Sequence, residues 1–173
     1  MRSVLEKYSI DHVWHFTDQA NIELIVKHQG ILSLAELKRS NIEIPVPGGN
    51  EWSHDADKRK GVDEFVHLAF VDDHPMLYAA KQQGRIVNPL WLKIEASVLL
   101  QDGVRFCAGV SNKTGVAILD AEEAEEAIDF DVLFTRTDWR ISAIQERRRE
   151  ATKSEILVPN FIPIDKILGY KNG

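Results

Sequence analysis

Cysteine occurs once in the 173 residues, at Cys107. That excludes an internal disulfide and any cysteine-based zinc site, and a reducing compartment fits. No apolar run approaches the roughly 20 residues that span a bilayer. The opening Met1-Arg2-Ser3-Val4-Leu5-Glu6-Lys7 lacks the apolar core of a signal peptide. A cytoplasmic chain with no membrane partner is the expectation. Repeats and low-complexity tracts are absent. So are the Walker lysine loop, the G-x-G-x-x-G turn, the G-x-S-x-G elbow and the H-E-x-x-H helix. Phosphate-loop, serine-hydrolase and zincin chemistries therefore have no motif behind them. The histidines at 12, 15, 28, 54, 67 and 74 have no ligand spacing, so no metal is expected. Cys107 lies in an apolar strand without an adjacent base.

Positive charge is also short. The net charge is -6, which gives no global attraction to nucleic acid. The distribution is uneven. The stretch Asp120–Asp131 is acidic without a basic residue, and Arg136, Arg140, Arg147, Arg148, Arg149 and Lys153 follow. Such a run is either a solvated, salt-bridged helix or a local phosphate contact.

What is present begins with His12-Val13-Trp14-His15-Phe16-Thr17. Alternation in a strand puts His15 and Thr17 on one face with Val13. Trp14 and Phe16 then form an aromatic anchor on the other, with His12. Asp18 or Thr17 caps the helix that follows. Ile22, Ile25 and Val26 form its apolar face, and Gly30 closes it. Ile31 and Leu32 read as buried connectors, and Ser33 caps a second helix through Leu37. Residues 41–61 read as one long polar loop, a flap over the site. Strands are expected over Glu64–Val71, Leu90–Ile94, Val104–Ala108, Val132–Thr135, Ser154–Val158 and Ile164–Tyr170. Helices are expected over Met76–Gln83, behind Pro75, over Ala121–Ala127, and from an Asp138 cap to about Arg149. Short strands mixed irregularly with helices indicate an α+β fold. The length suits a single domain over residues 1–173.

Glu155 opens a strand that continues Ile156-Leu157-Val158. A carboxylate at the start of a buried strand needs a partner or a task. The alternative is a frayed end where Glu155 meets solvent.

Several blocks share an order with a known family. They are His15-Phe16-Thr17 with Asn21, Ile25 and Gly30-Ile31-Leu32-Ser33, then Val66-His67-Leu68-Ala69-Phe70, then His74-Pro75-Met76-Leu77-Tyr78. The last is Ser154-Glu155-Ile156-Leu157-Val158-Pro159. Together they span Val13–Pro159 and resemble the DarT family, NAD-dependent ADP-ribosyltransferases that modify single-stranded DNA. The resemblance implies a split core of two small, mainly antiparallel sheets with flanking helices, holding NAD+ between them. It implies that His15 contacts the nicotinamide ribose, that Thr17, Asn21 and Leu32 line the NAD+ pocket, and that Glu155 is the catalytic glutamate. Met76 or Tyr78 would pack on the nicotinamide. Arg59 is the choice for a loop arginine that clamps pyrophosphate or transition-state charge, with Arg39 and Arg85 as competitors. Arg136, Trp139 and Arg140 fall where such enzymes place their target-recognition loop. Arginine beside an aromatic suits a single strand.

The resemblance implies a toxin or phage-defence role restrained by a macrodomain-type antitoxin. The segments before and within Val66–Phe70 depart from the thymidine-modifying pattern, which leaves the target base open. Transfer to RNA or protein, or a non-catalytic nucleotide-binding module, are the rival readings.

Overall fold

The computed structural model describes residues 1–173. In chain order it contains α1 (Arg2–Lys7), β1 (His12–Asp18), α2 (Ile22–Lys27), β2 (Gly30–Leu32), α3 (Leu34–Arg39), α4 (Glu51–Lys60) and β3 (Phe65–Ala69). Then come α5 (Pro75–Gln82), β4 (Pro89–Glu95), β5 (Arg105–Cys107), α6 (Ala121–Ala127), α7 (Phe130–Phe134) and α8 (Ser142–Ala151). β6 (Glu155–Pro159), β7 (Phe161–Pro163) and β8 (Ile167–Asn172) close the chain. Six strands form one antiparallel sheet in the order β5-β6-β3-β1-β4-β8. The second sheet is only the β2–β7 pair. The fold is α+β, with unequal sheets. No helix is long and apolar enough to cross a membrane.

The sheet is covered on both faces, and its inner strands read accordingly. In β4, Leu92 and Ile94 enter the main core, while Trp91 enters a smaller cluster with Ala69, Leu77, Ala80 and Ile86. β1 divides the same way. Val13 is fully buried in the main core, and Trp14 and Phe16 pack on the smaller cluster. The aromatic face therefore anchors the lesser core, not the main one.

One junction is weak. β1 and β4 pair from His12↔Glu95 to Asp18↔Pro89, whereas β1 and β3 are registered at Trp14↔Ala69 alone. Beyond that point the two strands diverge, and the sheet is split.

Local chemistry sets the element ends. Ser33 Oγ accepts from the Glu36 N–H at 3.2 Å and starts α3. His74 caps α5 by accepting the Met76 N–H at Nδ1, and Pro75 takes the first helical position. Asp18 is buried and receives the N–H groups of Ala20, Val87 and Asn88. It ties the end of β1 to the start of β4. Burial raises its pKa, but those three donors more than reverse this and hold it ionised.

Several sequence expectations change. The long loop is only its first half, because Glu51–Lys60 is helical. Asn50 caps that helix through the Ser53 N–H, and Gly61, at φ +71°, ends it. Its polar, charged sequence hid the helical period. Val132–Thr135 is not a strand. Asp129 accepts the Val132 N–H at 3.1 Å and starts α7 there. Asp138 does not cap α8. It folds back on the N–H and guanidinium of Arg140, and the helix begins four residues later. Ile31 and Leu32 are a strand rather than connectors, paired with Ile162 and Phe161. Val26 is 51% exposed, so the inward face of α2 rests on Ile25.

Gly30 does not end α2 either. Gln29, at φ +57°, makes the turn. Gly30 is needed because β2 and β7 approach closely: a Cβ there would lie 2.2 Å from the Ile162 carbonyl oxygen. Gly30→Ala should cost roughly 1–3 kcal/mol by overpacking, read as a lower midpoint in urea unfolding. An unchanged midpoint would show that the β2–β7 pair yields without cost.

Candidate active site

A cavity of about 220 Å3, open on one side, lies at the split between β1 and β3. β1 supplies His15, Phe16 and Thr17; the β2–Ser33 corner supplies Leu32; α4 supplies Ser53, His54 and Asp57; β6 supplies Glu155. Registers explain how these meet. Glu155 pairs with Ala69, and Ala69 with Trp14. Cross-strand partners share a face, so Glu155 belongs to the face of Trp14 and His15 to the opposite one. They share a cleft because the strands part between them.

His67 bridges the gap. Its backbone carbonyl accepts from His15 Nδ1 at 2.9 Å. Its ring Nδ1 lies 3.2 Å from Glu155 Oε2, and its Nε2 lies 3.0 Å from the Val62 carbonyl. The Ser111 N–H adds a second donor to Oε2 at 3.2 Å. His74 Nε2 stands 3.7 Å from Oε1. Glu155 is 5% exposed. Its burial disfavours the charge, but the bond and charge of His67, then His74 and Ser111, overcome this and lower its pKa.

His15 is the opposite case. Burial, reinforced by the charge of His67 and only partly opposed by the bond to the His67 carbonyl, lowers its pKa to about 4. It is neutral at pH 7. Since Nδ1 faces a carbonyl, Nδ1 carries the proton and Nε2 keeps a bare lone pair.

Thr17 and Asn21 have different capacities left. Asn21 Nδ2 donates to the Thr17 hydroxyl oxygen at 3.0 Å and to the Val46 carbonyl at 2.7 Å. Its Oδ1 accepts the Val46 N–H at 2.9 Å. Both amide hydrogens are spent, on holding the 41–50 strap. Thr17 keeps its own hydroxyl hydrogen. Arg85 grips the same strap at the Gly48 carbonyl.

Met76 and Leu32 line the cavity, and Tyr78 does not; its side chain is 68% exposed on α5. Neither lysine nor arginine lines it. Arg59 is exposed on α4. Two residues from Asp57, it lies some 200° round the helix, on the solvent side. Arg39 is committed to Glu36 and Glu64. No three of the histidine, cysteine and carboxylate side chains gather as a metal-binding group.

Arg136, Trp139 and Arg140 lie apart from this cavity, on an exposed shelf before α8. Arg140 is paired with Asp138, and the Arg148 guanidinium stacks 4.9 Å from the Trp139 ring. Much of the arginine run is neutralised: Arg147 pairs with Asp129, and Arg149 with Glu146. Sequence reasoning gave no role to His67, Ser111 or Asp57. His67 carried one signal, a histidine alternating with buried Val66 and Leu68. Ser111 acts through its backbone and carried none.

Residues 14–170 match the family model described as DarT, ssDNA thymidine ADP-ribosyltransferase. No curated protein matches the chain. Among solved structures, Thermus sp. 2.9 DarT in complex with ADP-ribosylated ssDNA superposes with a TM-score of 0.69 at 15% identity, covering 92% of this chain and 79% of that one. The same protein in complex with NAD+ gives 0.60 at 18% identity, over 91% and 79%. Thermosipho africanus DarTG in complex with ADP-ribose gives 0.70 at 22% identity, over 92% of this chain but only 43% of that one. At these identities the structures establish a shared fold. The family match covers nearly the whole chain and carries the further conclusion: this protein belongs to the DarT family of single-stranded-DNA ADP-ribosyltransferases.

Proposed function

We propose that this chain, as a single domain, moves ADP-ribose from NAD+ to a base of single-stranded DNA and releases nicotinamide. The carrying observation is the placement of Glu155 and His15 on one cleft, joined through His67. Breaking the nicotinamide–ribose bond sends its electron pair to the departing ring and leaves positive charge on the ribose, an oxocarbenium-like state. Glu155 meets that charge with a carboxylate. It then takes the proton from the base nitrogen as that nitrogen bonds to the ribose carbon. His15 Nε2 accepts from a ribose hydroxyl, and the Thr17 hydroxyl donates into the same pocket. Leu32 and Met76 give the nicotinamide an apolar wall. A cationic His15 would oppose the developing charge, so its neutrality serves the reaction.

The closed space is below the roughly 300–1,000 Å3 of sites that engulf a ligand. The nicotinamide end therefore goes deep and the adenylate half lies along the open side. There Arg85, bonded to the strap at the Gly48 carbonyl, is a cation placed for pyrophosphate, in place of Arg59. Arg136, Arg140 and Trp139 take the DNA strand, with the exposed indole as a stacking surface. The base must be unpaired to be reached. Such an enzyme acts in the cytoplasm as a replication poison with a macrodomain-type antitoxin as partner, and phage defence is a use for it. It needs no metal.

With labelled NAD+, the protein should label single-stranded oligonucleotides, thymidine-containing ones first, and Glu155→Gln should lower the rate about 10²–10³-fold while still binding NAD+ in calorimetry. Label on RNA or protein but not on DNA would redirect the reading, and no label at all would sink it. Asn21→Ala frees the strap. NAD+ binding should weaken about tenfold, the equivalent of one or two lost hydrogen bonds, with the maximal rate within about twofold. Unchanged NAD+ affinity would remove the strap from the binding site.

A further inference from the structure

The ring of His67 faces two acceptors. Nε2 points at the Val62 carbonyl, at 3.0 Å, and a carbonyl can only accept. Nδ1 points at Glu155 Oε2, at 3.2 Å. A neutral imidazole has one N–H, so it satisfies one of these and leaves the other facing a lone pair. Two protons are needed in the pair. Either both sit on His67, or one sits on Glu155 and is donated to a bare Nδ1. The Ser111 N–H decides between them. It also donates to Oε2, and a carboxylate oxygen accepts that N–H better than the hydroxyl of a neutral acid does. The Ser111 hydroxyl lies 3.3 Å from Nδ1; its oxygen accepts from a doubly protonated ring, and its hydrogen would go to a bare Nδ1.

The two oxygens of Glu155 are thus unequal. Oε2 is held by His67 and Ser111. Oε1 makes no hydrogen bond; His74 Nε2 stands 3.7 Å from it. That nitrogen is turned to the Lys153 carbonyl, at 3.4 Å.

We propose that His67 is the positioning residue for Glu155: its doubly protonated ring anchors Oε2 and leaves Oε1 as the oxygen that works on the substrate. This rests on the transferase reading for the substrate step only. The anchor itself is a property of the folded chain. The groups facing the ring are Glu155 on β6, Asp57 on α4, His15 on β1, His74 at the start of α5 and Ser111. Burial would lower the pKa of His67, but Glu155 first and Asp57 next outweigh it and raise it to about 9. The charge on His67 in turn helps keep His15 neutral. Loss of the His67 proton at alkaline pH removes one of the two donors on Oε2 and lets the carboxylate turn.

Histidine ring resonances give a test that needs no activity. His67 should titrate near pH 9 in the intact protein, and Glu155→Gln should bring it below the ordinary value near 6.5. A wild-type midpoint at or below 6.5 overturns the anchor. His67→Asn keeps an N–H towards Glu155 without the charge. His67→Gln places its amide near Val62 and loses Glu155. Transfer by His67→Asn should fall about tenfold and lose the alkaline limb near pH 9, and His67→Gln should fall further. Thermal unfolding of both variants shows whether the fold persists. If His67→Asn keeps the wild-type pH profile, the positioning role is wrong. If the protein labels no nucleic acid yet His67 titrates near 9, the anchor stands and the transferase reading alone falls.

Discussion

A carboxylate with 5% of its surface exposed has to be compensated where it stands, and the site is arranged around that requirement. An isolated buried carboxylate would take up a proton rather than bear the desolvation cost. Glu155 does not, because His67 and Ser111 both donate to one of its oxygens. The same histidine fixes His15 through its backbone carbonyl. One residue on β3 therefore bonds two others, a carboxylate on β6 whose charge it favours and a ring on β1 whose neutrality comes chiefly from burial. This works only because β3 lies between those strands and pairs continuously with β6 but at one position with β1. Full pairing would close the gap that His15 reaches across.

The fold class was legible in the sequence because strand alternation and caps are local. The buried run around Ile156, the cap at Ser33, the helix start at Pro75, and the α+β mixture all follow from neighbours along the chain. Part of what failed was also local in origin. The short apolar run of α7 reads equally as strand or helix, and only the Asp129 cap decides it. The polar α4 has no apolar period. Two of its ten residues, Ser53 and Ala56, are buried. β2 and β7 are three residues each and exist as strands only through each other. A split between β1 and β3 is a non-local event that no single segment announces.

The site was legible by residue type and less so by free capacity. His15, Thr17, Asn21, Leu32, Met76 and Glu155 all line the cleft, and Tyr78 and Arg59 do not. A helix direction decided both exclusions: Arg59 sits on the solvent side of α4, a segment that reads as loop from its sequence, and Tyr78 on the exposed side of α5. The missing cation has a related cause. The chain is acidic, and four of its ten arginines are held in ion pairs: Arg39 with Glu64, Arg140 with Asp138, Arg147 with Asp129, Arg149 with Glu146. A basic run in sequence is thus a poor measure of free positive charge on the surface.

Counting hydrogen-bonding capacity separates scaffold from chemistry. Asn21 has given both amide hydrogens to Thr17 and Val46, and Asp18 accepts from three backbone donors. Lys60 is in the same position, with its ammonium on the carbonyls of Ser111, Lys113 and Val116. These side chains look reactive by type yet hold loops. Lys60 in particular pins the segment whose Ser111 N–H reaches Glu155, so a lysine outside the cleft bears on the carboxylate inside it. The capacity that remains includes Nε2 of His15, the hydroxyl hydrogen of Thr17, Oε1 of Glu155, and Asp57, whose Oδ1 is buried without a partner. Burial raises the pKa of Asp57, and the charge of His67 opposes this. A half-satisfied acid beside an imidazolium is costly to keep for stability alone. Asp57 stands in the cavity wall with that oxygen unpaired.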